Sequence, residues 1–370
     1  MKSYKLMIPG PVDPTDEVLA QMALPVSPHY GPEWAELYEE TIGYLKQVFQ
    51  TENDLYLIVG PGSAALDAAL GSLLAPGEKV LILANGFFGH RLAEISKACG
   101  LTASVLSFPL GQPISPEELA SRLGEEEGIK AVAVVHHETS TGVLNPLQDI
   151  ARVVHEHDLP IIVDAVSSIG GTPLPVDDWS IDLCISVANK CLEAPPGVAP
   201  ISVSPRAWQL IDARSNHLRW YLNLQTWREY ADKWAGFHPY PTTLPTNNVL
   251  ALRASLQIIL QEGLEARYER YAQAAGRVRR GLEELGFEMF VEEKYASPLT
   301  TSVKGRPGAS VKEIIGFLKE EHGILISGGI EELADRIFRV GHMGKAASPE
   351  YIVAFLAGVE DFLERKGLKS

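Results

Sequence analysis

From Leu55 onward, short runs of β-branched and other apolar residues alternate with segments of helical periodicity. LYLIV precedes AALDAALGSLL, KVLILA precedes HRLAEISKA, IKAVAVV precedes LQDIARVVHEH, and LPIIVDAV and DLCISVA follow. The runs are apolar at successive positions rather than at every second one, so each strand is covered on both faces, as in a mostly parallel sheet between helices. The predicted fold class is α/β. In open parallel sheets ligands bind beyond the carboxyl ends of the strands, which directs attention to the residues that follow each apolar run.

After Pro245 the pattern changes. LALRASLQIILQEGLEARYERYAQAAGRVRRGLEEL is helical over more than the roughly 25 residues that a single uncapped helix usually reaches, and Gly263 is expected to bend or divide it. FEMFV, LTTSV, the helical VKEIIGFLKEE, ILIS, IFRVG and the helical EYIVAFLAGVEDFLERKG then read as a smaller α+β domain. The expected organisation is a large domain over residues 21–260 and a small one over 261–370. Residues 1–20 should form a segment packing near both the active site and the small domain.

Composition narrows the function classes. Of the 370 residues, 46% are hydrophobic and 21% charged, enough apolar material for a large core. The net charge of −15 comes without any Lys/Arg run, which argues against nucleic acid as a partner. Anionic small molecules stay possible, because a few nearby charges set a pocket's field. No stretch approaches the roughly 20 apolar residues that span a bilayer, and the amino terminus lacks a signal-peptide core, so the expected location is the cytoplasm, away from membranes. Cys99, Cys184 and Cys191 form neither a disulfide framework nor a metal-ligand spacing.

Three strand-end features carry chemistry. Asp164 closes the buried run LPIIV, where an unpaired carboxylate would be costly, so it calls for a cationic partner. Lys190 follows DLCISVA and Asn189 and precedes a Pro/Gly-rich turn; burial at that edge would lower its pKa and make it a nucleophilic amine. LYLIV runs into Gly60-Pro61-Gly62-Ser63 and a helix, whose first N–H groups and dipole favour an anion. Alone, Lys190 reads as a surface lysine, Asp164 as a turn former and the glycine turn as a connector. Together they are what pyridoxal 5'-phosphate requires: an amine for a Schiff base, a carboxylate for the pyridine nitrogen and a phosphate cradle.

These residues, in this chain order, resemble the class V aminotransferases of fold-type I, particularly alanine–glyoxylate and serine–glyoxylate or serine–pyruvate aminotransferases, from Pro9-Gly10-Pro11 to the Arg339 segment. The resemblance implies that Lys190 holds the cofactor, Asp164 pairs with its ring nitrogen, and Gly62, Ser63 and Asn189 approach its phosphate. In NGFFGHR it selects Phe88, beside Phe87, as the ring platform. In HHETSTG it selects Thr139 for the cofactor's 3'-oxygen, while His136 and His137 receive no proton-transfer role. In RIFRVGHMG it selects Arg339 over Arg336 for the substrate carboxylate, and it places Gly10 against the substrate. YPTTLPTNN resembles a segment that reaches a partner subunit's cofactor, implying contacts from Tyr240 and Thr243 and a homodimer with composite sites.

The implied reaction moves the amino group of alanine or serine to glyoxylate or pyruvate by a ping-pong route. Two other transaminases of the family compete, those of 2-aminoethylphosphonate and of pyridoxamine, and Tyr30 after His29 departs from the His-Arg pair often found in SPHYGPEW. A pyridoxal-phosphate lyase such as a cysteine desulfurase is the rival of another class. Desulfurases usually carry His before the lysine, where this chain has Asn189, and need a reactive loop cysteine.

Overall fold

The computed structural model describes residues 4–214 and 219–368. Seven strands form the main sheet: β1 (Asp54–Val59), β2 (Lys79–Ala84), β3 (Thr102–Ser107), β4 (Ile129–Val135), β5 (Ile161–Asp164), β6 (Leu183–Ile185) and β7 (Val198–Val203). Their spatial order is β1-β7-β6-β5-β4-β2-β3. β7 runs antiparallel to both its neighbours and the remaining pairs are parallel. Two antiparallel steps restore the direction, so β1 ends on the same edge as β2, β4, β5 and β6. Five loops therefore meet there.

The continuous apolar runs are buried as their pattern predicts: every residue of β7 and of β5 is buried, as are the central residues of β2 and β4. β3 was not legible. Its sequence TASVLS is only half-buried, because it is an edge strand paired on one side to β2, and small polar residues there satisfy the exposed face.

Gly263 divides the long helical pattern, as expected. It ends the helix Thr246–Glu262 and starts Leu264–Glu284 at φ +81°, a left-handed backbone that favours glycine. A second core gathers residues from Tyr271 to Leu363 together with Met7 and Val12 of the amino-terminal segment. Its sheet contains β8 (Thr300–Lys304), β9 (Ser327–Gly328) and β10 (Ile337–Gly341), in the order β8-β10-β9. The FEMFV segment departs from expectation: it forms one isolated bridge, Met289 to Val303, rather than a strand, since Phe290 bonds only to the Ser302 carbonyl before the chain turns away.

Residues Lys5–Leu6 pair with Ile324–Leu325, and Met7 exchanges backbone bonds with Leu325 and Gly341. The segment is thereby tied to the second core before it passes Lys190. Among the described residues no helix is long and apolar enough to cross a membrane, and no group of His, Cys, Asp or Glu is arranged to hold a metal ion.

Candidate active site

At the carboxyl edge of the sheet a cavity of about 240 Å³ is lined by Gly62, Ser63, Phe88, Thr139, Asp164, Asn189 and Lys190, with Arg91, His137, Val166 and Ser167 among the other walls. Seven of the sequence-derived candidates therefore converge, from the ends of five strands. The helix Gly62–Leu73 starts at Pro61 with no side-chain cap, so its first N–H groups face the cavity unclaimed by a cap. Gly62 must be glycine because a Cβ there would sit 2.7 Å from Val166 Cγ2.

Asp164 is 7% exposed, and its Oδ1 accepts a 3.0 Å bond from the Val166 N–H. Burial raises its pKa to about 6; that bond and the more distant charges of Lys190 and Arg91 oppose the shift without cancelling it. The carboxylate thus lacks the cationic partner that its position demands, a lack that a protonated pyridine nitrogen would fill. Lys190 is shifted the other way. Burial lowers its amine to about 8. Its Nζ donates to the Pro9 carbonyl oxygen, and Gly10 leaves the room for this, since a Cβ at residue 10 would lie 2.4 Å from Nζ.

Arg339, on β10, stands just behind the cavity wall: Nε donates to the Gly328 carbonyl at 2.8 Å and Nη1 to the Thr139 carbonyl at 2.9 Å. Burial lowers its pKa to about 10. Arg336 is exposed and precedes the strand. Tyr240 and Thr243 do not reach this cavity. Tyr240 is buried, donates its hydroxyl to the His29 carbonyl and packs against Tyr38 and His238, while Thr243 is exposed. His29 and Tyr30 belong to the same aromatic group and do not line the cavity either.

One residue escaped the sequence reading. Glu138 is fully buried and accepts from the N–H groups of Phe88 and Gly89, both at 3.0 Å, and from the backbone and hydroxyl of Ser140. It caps the helix Phe87–Ala98, which has no side chain of its own for that purpose, and so fixes the Phe88 ring at the cavity. The signal was present in the acidic residue beside Thr139, but its partner lies 50 residues away.

A sheet edge with a depressed lysine, a buried carboxylate that lacks a cationic partner and an uncapped helix start has the chemistry that pyridoxal 5'-phosphate needs. The Aminotransferase class-V family model matches residues 19–337, and the chain belongs to that family. An uncharacterized aminotransferase of Methanocaldococcus jannaschii is 41% identical, over 98% of this chain and 94% of its own. Among solved structures, an alanine–glyoxylate aminotransferase from Nostoc sp. superposes with TM-score 0.94 at 33% identity, covering 98% of this chain and 96% of the other. A pyridoxamine–pyruvate aminotransferase from Mesorhizobium loti gives 0.91 at 30% identity, over 99% and 93%. The protein is a pyridoxal-phosphate-dependent aminotransferase.

Proposed function

We propose that this aminotransferase takes its amino group from a small α-amino acid, alanine or serine, and gives it to glyoxylate or pyruvate. The observation that carries the reading is Arg339, held by two carbonyls immediately behind Thr139 and desolvated, ready for a carboxylate beside Lys190. An α-amino acid offers that carboxylate. The rival transaminases of pyridoxamine and 2-aminoethylphosphonate also need such a group for an oxo acid, so Arg339 does not separate them; the uncapped helix start at Gly62 and Ser63, suited to an anion, ranks phosphate-free pyridoxamine lower.

When bound, pyridoxal 5'-phosphate supplies an aldehyde for covalent attachment and a protonated ring that withdraws electrons from the bond to be broken. Asp164 would keep the ring nitrogen protonated, Phe88 would support one face, Thr139 would meet the 3'-oxygen, and Gly62, Ser63 and Asn189 would take the phosphate. Lys190 is the point of attachment and, once free, the base for the substrate Cα proton; an amine near pKa 8 can both lose and regain it. Arg339 and Gly10 bracket the substrate so that this bond faces Lys190. Cys191 is buried with its thiol pushed up to about 12, which disfavours a desulfurase.

The same reading makes the enzyme a cytoplasmic homodimer in which Tyr240 and Thr243 serve the neighbouring site. Supporting it, eight of the ten exposed large hydrophobics among the described residues fall in two stretches, Leu19 to Tyr30 and Trp220 to Phe237, the latter leading into Tyr240. Three reduced, buried cysteines suit the compartment.

The test is spectral. Alanine or serine added to the holoenzyme should convert the cofactor to its amino form, and glyoxylate or pyruvate should restore it; a spectrum indifferent to every α-amino acid would refute the reading. Borohydride reduction and peptide mapping should place the cofactor on Lys190, and a label on any other residue overturns that role. Sedimentation should give a dimer, and a monomer at working concentration removes the composite site.

A further inference from the structure

His137 has no task in the reading above, yet its surroundings differ from those of a histidine that merely fills a core. It is 2% exposed, and its Nδ1 lies 3.0 Å from the Ser167 carbonyl oxygen. A carbonyl only accepts, so Nδ1 carries the hydrogen and Nε2 is left with a bare lone pair. That Nε2 is buried without a hydrogen-bond partner, a state that costs free energy unless a donor arrives. Burial, followed by the charge of Lys190, lowers the ring's pKa to about 4, so the imidazole is neutral at pH 7.

His137 shares the cavity wall with Thr139, Asp164 and Lys190. A cofactor bound there brings acceptors, its phosphate and 3'-oxygens, and its ring N–H faces Asp164. Of the donors on that wall, the Ser63, Thr139 and Ser167 hydroxyls, the Asn189 amide, the Arg91 guanidinium and the Lys190 amine, Lys190 is the one whose charge bears on the His137 ring. Its Nζ now points to the Pro9 carbonyl, in the space that Gly10 leaves open, and it must turn away from Pro9 to act within the cavity.

We propose that His137 is a positioning residue for Lys190: when the amine turns into the cavity, His137 Nε2 accepts one of its N–H bonds and directs it at the substrate Cα. The imidazole takes no proton. It holds the nitrogen while Lys190 gains and loses one, which rests on the assignment of Lys190 as the reacting lysine.

Two substitutions test this. His137→Phe keeps a ring of similar size and removes the lone pair, whereas His137→Gln keeps an acceptor. The first measurement needs no cofactor: reductive methylation of the apoprotein with formaldehyde and cyanoborohydride, followed across pH by mass spectrometry of the peptide containing Lys190. By this proposal the apoprotein ammonium divides its time between the Pro9 carbonyl and His137 Nε2, and a neutral acceptor favours the ammonium form, so the Lys190 midpoint should fall by about half a pH unit in His137→Phe and stay near the wild-type value in His137→Gln. Cys191, Arg339 and Asp164, the other ionisable neighbours of Lys190, remain in both variants. In the holoenzyme, kcat should fall roughly tenfold in His137→Phe, with KM for the amino donor within about twofold, and recover in His137→Gln. Equal midpoints in wild type and His137→Phe overturn the proposal, as does an equal loss of kcat in both variants, which marks a packing role. Borohydride trapping on another lysine sinks the underlying assignment by a separate observation.

Discussion

The molecule buries two groups of charged residues and treats them in opposite ways. At the junction of the two cores, Arg267 is 1% exposed, and its guanidinium is bonded on every nitrogen: Nε to the Gly170 carbonyl, Nη1 to Glu262, and Nη2 to the Cys191 carbonyl and Glu193. Tyr271 adds a hydroxyl to Glu193, and the pKa of Arg267 is driven up. In and just behind the cavity, which Lys190 enters three residues before Glu193, the shifts go against charge: Asp164 up to about 6, Lys190 down to about 8, Arg339 down to about 10, each with burial as the largest cause. The charges of the structural group have found their partners inside the protein; those to which the proposed function gives a chemical role are left short of charged partners, which a cofactor and substrate would supply.

The contrast can be broken by substitution. Lys190→Ala should reduce transamination by roughly 10⁴-fold or more, because it removes both the attachment point and the base. Thermal melts of the apoprotein should show little loss of stability, since the buried amine removed has the Pro9 carbonyl but no carboxylate bonded to it; a large drop would mean that Lys190 belongs with the structural charges. Arg267→Met should do the reverse. It strands Glu193 in the interior and should cost about 3–5 kcal/mol in urea unfolding, and a neutral result would erase the distinction.

Arg339→Gln sharpens the comparison by testing the substrate's share of the missing partners. KM for the amino donor should rise roughly 100-fold with a smaller change in kcat, as steady-state kinetics would show. The smallest expected effect is one of pH. Asp164 in the folded apoprotein keeps its proton up to about pH 6, whereas an unfolded chain loses it near 3.8. The folded state therefore binds more protons between about pH 4 and 6, and stability should fall as pH rises through that window, by on the order of 2 kcal/mol. Asp164→Asn should flatten this slope in urea titrations; an unchanged slope would assign it to other groups.

Much of the site was legible because its parts obey local rules. Asp164, Lys190 and the Gly62–Ser63 turn each follow an apolar run, and strand ends in a parallel sheet share an edge whatever the loops between them do. Gly263 was readable for a similar reason, since a glycine within a helical pattern of that length marks a break. β3 was missed because an edge strand needs little apolar sequence, and FEMFV was misread because an apolar run does not have to form a ladder. The preference for Arg339 over Arg336 came from family likeness; strand alternation alone could not say which of the two faces inward.

The sequence by itself determined the α/β class, the order of the elements and the residue types at the sheet's ligand edge, because strand and helix periods and turn chemistry act over a few residues. Tertiary structure decided which of these residues face one another. The bonds from Arg339 to Thr139 and from Lys190 to Pro9 cross 200 and 181 positions of the chain, and Glu138 reaches the helix start at Phe88 across 50. Contacts of that span depend on how the two cores pack, as do the depressed amine of Lys190, the unpaired carboxylate of Asp164 and the bare nitrogen of His137, since each exists only once the chain has excluded water around it.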